Sequence, residues 1–182
     1  MGFTFDDTDT KGVASPIAEM HRLIAKDPRN AECIFPYING AEVNEGPYHS
    51  QTRYIINFGE WRLYRDDLGA CWSTADEIQR AEWLRNGIVP RDYPELVAMD
   101  YPDLLRMVEQ RVKPERMNQK DKGGREKWWL YLRRRPTLYA SIRDLDRVLA
   151  RFLTSTNFST FTFLPNGIIY DQTLCYRTLF DF

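Results

Sequence analysis

Two acids close together, Asp103 and Glu109, invite a metal-dependent reading. In many nucleases paired carboxylates hold Mg²⁺ while a lysine positions the attacking water. Here Pro102-Asp103 is followed by Glu109-Gln110-Arg111, with arginine where that chemistry uses lysine. The stretch reads as one helix, on which residues six apart point in different directions, so the two carboxylates do not converge. Other reactive side chains are scarce. His21 and His49 are the only histidines, and neither stands at metal-ligand spacing from a cysteine or from the other. Cys33, Cys71 and Cys175 are odd in number and far apart, which suggests small buried hydrophobes in a reducing compartment rather than a disulfide framework. No glycine-rich phosphate loop, nucleophile elbow or CxxC occurs.

What the sequence concentrates is positive charge. Arg111 to Arg135, RVKPERMNQKDKGGREKWWLYLRRR, holds ten Lys and Arg against Glu115, Asp121 and Glu126, a net of +7. The rest of the chain keeps 15 basic against 23 acidic residues, a net of −8. Charge separated in this way draws a polyanion to one region and repels it from the others, as a nucleic-acid-binding face requires. The alternative is a solvated helix face with no partner.

These residues need elements to hold them. At 182 residues with 14% aromatic content the chain is long enough for one domain with a real core. No apolar run approaches the roughly 20 residues that span a bilayer, and MGFTFDDTDT lacks the pattern of a signal peptide, so a cytoplasmic protein without a membrane partner is expected. Asn157-Phe158-Ser159 fits a glycosylation sequon, a signal without meaning in that compartment. Ser15-Pro16 opens a helix carrying Ile17, Met20, Leu23 and Ile24 on one face, ended by Asp27-Pro28. CIFPYI and RYIINF read as strands, the first an edge or irregular one because of Pro36. Thr74-Ala-Asp-Glu77 reads as a capping box for a helix closed by Asn86-Gly87. A helix is expected from Pro102 to Val112, then a loop from Met117 to Gly124, then a helix from Arg125 to Arg135 with Trp128 and Trp129 on its inner arc.

Beyond a helix within Thr137 to Asp146 the period changes to two. RVLARFLT, FSTFTFL, IIYD and TLCYRTLF suggest a meander with a tight hairpin at Asn166-Gly167. Phe161 and Phe163 share one strand face and Thr160 and Thr162 the other. The expected class is α+β, helices packed on a small, mainly antiparallel sheet, as a single domain over 1–182 cut from a larger protein.

With these elements placed, GFTFDDTD, DPRNAECIFPYING, RYIINFGEW, VKPER with WW and RP, and FTFLPNGIIY follow one another in an order that resembles the target-recognition region of MmeI-like DNA methyltransferases. These are adenine-specific enzymes, often joined to a nuclease in single-chain restriction-modification systems. The resemblance runs from about Met1 to Tyr170. It implies a domain that reads double-stranded DNA and presents an adenine to a methyltransferase domain elsewhere in the parent polypeptide, where S-adenosylmethionine would bind. This chain has no Pro-Pro pair and no cofactor loop, so no catalysis, cofactor or metal is expected of it alone.

On this reading the phosphate contacts are Arg125, Lys127, Arg133 and Arg134 on the expected helix, preceded by Arg111, Lys113, Arg116, Lys120 and Lys122, with 120–124 a loop ordered by DNA. Leu68 to Pro90 stands outside the family pattern as a possible insertion or docking surface. Two other readings remain: a module that packs on the parent's catalytic domain without touching DNA, and a stand-alone Mg²⁺ nuclease built on Asp103 and Glu109.

Overall fold

The computed structural model describes residues 2–45, 52–131, 135–152, 161–171 and 173–177. The strands are β1 (Thr4–Phe5), β2 (Ile34–Ile38), β3 (Arg53–Ile56), β4 (Tyr64–Asp66), β5 (Ile88–Pro90), β6 (Arg147–Phe152), β7 (Phe161–Pro165), β8 (Ile169–Tyr170) and β9 (Leu174–Arg177). The helices are α1 (Ile17–Lys26), α2 (Gly40–Glu45), α3 (Glu77–Asn86), α4 (Pro102–Arg111), α5 (Lys113–Met117), α6 (Lys122–Glu126) and α7 (Pro136–Ile142). The class is α+β, as expected. The strands divide among three sheets: β1-β3-β2-β8, a parallel β4-β5 pair, and antiparallel β7-β6-β9. No helix among the described residues is long and apolar enough to cross a membrane.

The main core lies where α1 and α4 pack on the first sheet. Met20 and Leu23 of α1 and Leu104, Leu105 and Val108 of α4 are buried with Phe5, Ile55 and Ile56 of the sheet. Both helices show the expected apolar stripe. The amide of Ile17 is capped by the Asp7 carboxylate at 2.8 Å rather than by Ser15. β2 lies inside the sheet, not at its edge. Pro36 is tolerated because β8 pairs only with Tyr37 and Ile38, so the strand has a single neighbour at the proline.

The expected hairpin at Asn166-Gly167 does not form. The Asn166 side-chain amide donates to the carbonyls of Ile142 and Leu145, both at 2.8 Å, and so closes the end of α7. Beyond this turn, β8 leaves β7 and pairs in parallel with β2 of the other sheet. β9 then returns to β6. The crossover puts Ile168, Tyr170 and Leu174 into a second core with Ile142, Val148 and Leu164.

Residues 68–90 belong to a β4–α3–β5 unit with its own small core of Trp83, Val89, Tyr93 and Val97. Its helix is capped by Asp76, whose carboxylate accepts the Gln79 amide, whereas Thr74 turns its hydroxyl to the Cys71 carbonyl. Gly87 ends α3 with φ at +82°.

Candidate nucleic-acid interface

The basic segment folds differently from the expected loop and long helix. Val112 passes straight from α4 into α5, because Pro114 sits in the first turn, where its missing N–H costs nothing. The Asp121 carboxylate accepts the Gly124 amide at 2.9 Å and starts α6, so 122–126 is a short helix and not an open loop. α6 ends at Glu126, and the chain then runs through turns.

The reason is packing. Trp128, Trp129, Leu130 and Tyr131 are 7%, 2%, 2% and 6% exposed, so all four face the core. On an α-helix four consecutive residues fan around most of the axis, and some of them would face water. Unwinding lets all four turn inward.

Arg116 holds this unwound stretch. Its guanidinium is 5% exposed and donates to the carbonyls of Leu130 at 2.6 Å and Lys127 at 3.2 Å, with the Phe3 ring 5.1 Å from its carbon. Burial pulls its pKa below the ordinary arginine value. The expectation that Arg116 meets phosphate is therefore corrected: its side chain is buried, with one guanidinium nitrogen held by the Leu130 and Lys127 carbonyls.

Trp129 ties the segment to the β4–α3–β5 unit. Its indole N–H donates to the Trp61 carbonyl at 3.0 Å, and its ring lies where a Cβ on Gly87 would come within 2.5 Å. Gly87 thus serves two constraints, a left-handed helix end and a close approach.

The remaining cations are displayed on this scaffold. Arg111 and Lys120 are exposed and have no carboxylate partner among the described residues. Arg111 lines an open groove of about 590 Å³ between α1 and α4, together with Arg22, Arg106 and Gln110. Arg22 and Arg106 extend the basic surface beyond the segment, although they pair with Glu19 and Asp103. The Arg22 hydrogen bond holds the Glu19 carboxyl below its ordinary pKa, with a smaller contribution from Arg111.

Lys122 pairs loosely with Glu126 at 3.6 Å, and Lys113 with Glu109 at 2.8 Å while lying 4.8 Å from the Trp128 ring centre. Exposed helix pairs of this kind are worth about 0.3–0.5 kcal/mol, so a phosphate can compete for the lysine. Arg125 is half-buried and donates to the Gln119 carbonyl at 2.6 Å, and Lys127 is half-buried. Arg133 and Arg134 lie outside the described residues.

The two acids of the nuclease reading are engaged apart from each other. Asp103 binds Lys26 at 2.7 Å, and this hydrogen bond with the nearby cations holds its carboxyl below the ordinary pKa against the opposing effect of desolvation, while Glu109 binds Lys113. No cluster of metal-ligating side chains exists among the described residues.

A second surface carries cations that sequence reasoning missed. On β7 the face with Phe161 and Phe163 turns outward, 52% and 43% exposed, while Leu164 points into the second core. Across the antiparallel pair, Arg147 places its guanidinium carbon 4.2 Å from the Phe163 ring centre, and Arg151 lies 6.0 Å from that of Phe161. The period-2 pattern put the two rings together; only the fold says that they face water.

No family model, curated protein or solved structure matches the chain.

Proposed function

We propose that this chain is a sequence-specific double-stranded DNA recognition domain that positions a target adenine for an S-adenosylmethionine-dependent methyltransferase domain elsewhere in its parent restriction-modification protein. The observation that carries the reading is the segregation of charge, +7 over Arg111 to Arg135 against −8 in the rest. A field of this shape orients a polyanion and raises its association rate. The buried Arg116–Trp128–Trp129 scaffold supports the reading further, because it holds the displayed cations on ordered backbone. Phosphate contacts fix register, and base edges in the major groove supply sequence. Extruding an adenine costs a few kcal/mol, so a domain gripping the flanking duplex has a physical task to perform.

A second reading is favoured by α3, whose Ile78 is 82% exposed: the chain docks on the catalytic domain and leaves DNA to others. Reversal of Arg111, Lys120 and Lys122 to glutamate distinguishes the two. The first reading expects duplex affinity to fall by more than roughly tenfold at low salt, since counterion release is lost at each contact. Reversal of Arg85 and Arg91, exposed beside α3, should leave it nearly unchanged. Equal affinity in the triple variant, with loss of catalytic-domain binding on Ile78→Asp, would instead favour docking.

A further inference from the structure

We propose that the outer face of the β6–β7 pair binds unpaired nucleobases, stacking them on Phe161 and Phe163 while Arg147 and Arg151 contact the strand that carries them. This goes beyond duplex reading, because bases in an intact duplex offer no free face to a ring. It meets that reading where extrusion of a base orphans its partner.

The two rings project from alternate positions of one strand, about 6.7 Å apart at 3.3–3.4 Å per residue. That is twice the roughly 3.4 Å rise between successive bases, so one base fits the interval between the positions or one base lies on each. The outward positions of β6 facing them are Arg147, Leu149 and Arg151, with no acid among them. Neither arginine has a carboxylate partner among the described residues. Asp144 and Asp146 stand before the strand, at its foot. An arginine lying over a ring keeps its edge donors available to phosphate or base edges, and the same cation–π chemistry extends to a stacked base.

Area decides against a protein partner at this face. A phenylalanine side chain offers about 150–250 Å², so two half-exposed rings present about 200 Å² together. A stable protein interface needs about 800 Å² from each side, whereas one or two bases need no more than the rings provide.

The experiment uses the full chain, a labelled oligothymidine that forms no duplex, the same strand with abasic sites, and a blunt duplex. The expected result is that Phe161→Ala with Phe163→Ala weakens oligothymidine binding by roughly tenfold or more. Phe161→Tyr with Phe163→Tyr retains it, and abasic sites reproduce the loss in the unaltered protein. Blunt-duplex binding stays within about twofold, because both rings are on the surface. Equal affinity for oligothymidine and abasic strand, or no effect of the double alanine variant, would overturn the inference while duplex binding left the proposed function standing. Loss of duplex binding alone, with the oligothymidine effects intact, would do the reverse.

Discussion

Single residues carry the sharpest consequences, and Arg116 is the clearest. Arg116→Met removes the side-chain donor to the buried Leu130 carbonyl, a loss of about 1–3 kcal/mol, whereas the Lys127 carbonyl keeps the Leu130 amide at 3.0 Å. Urea denaturation should show a loss of about 1–3 kcal/mol, whereas Lys120→Met should cost under about 0.5 kcal/mol as a surface change. Gly87→Ala should cost more than about 2 kcal/mol, combining left-handed backbone with overlap on the Trp129 ring. A stable Gly87→Ala protein would show that the indole is not where the fold places it. Cys33 is buried, and desolvation pushes its thiol up to about 12, while Cys71 is exposed. In a Cys175→Ser protein, a maleimide should therefore label Cys71 rapidly and reach Cys33 only on unfolding.

Elements show what the sequence could reveal and what it could not. α1, α4 and the strands β2 and β3 were legible because each has its own periodic stripe or β-branched run between breakers. Arg125 to Arg135 was not. Its lack of glycine or proline permits a helix, but the joint burial of 128–131 overrides that preference. Asn166-Gly167 likewise has hairpin chemistry, yet its asparagine is drawn to the carbonyls ending α7, a contact invisible to local pattern. At the candidate interface the charge of the segment was legible, but the inward turn of Arg116 was not, since charge alone does not say which arginine will satisfy carbonyls. Cap identity is testable at the same scale. Asp76→Ala should destabilise by about 1 kcal/mol and Thr74→Ala by much less, because Asp76 accepts from α3. The opposite order would restore the capping box at Thr74.

The whole molecule responds to pH and salt through groups spread across it. Burial raises the phenol pKa of Tyr37, Tyr101, Tyr139 and Tyr170, helped at Tyr37 by its hydrogen bond to Asp171 and at Tyr101 by its bond to Glu32. The folded chain then keeps protons that the unfolded chain releases above about pH 10. Their stabilisation is full below that pH and lost as the pH rises beyond it. Urea midpoints should agree at pH 8 and 9 and fall by pH 11. A midpoint unchanged to pH 11 would contradict the burial of these rings.

The most direct test of duplex recognition is the salt dependence of binding to a labelled random-sequence duplex, followed by fluorescence anisotropy. With Arg116 removed from the count, Arg111, Lys113, Lys120, Lys122, Arg125 and Lys127 are the six candidate cations on described residues. Six neutralised phosphates give a slope of log affinity against log salt near −5. A slope of that size, unchanged by Phe161→Ala with Phe163→Ala and flattened by reversal of Arg111, Lys120 and Lys122, is the predicted result. A flat response would contradict the account, because the separated charge would then face something other than DNA.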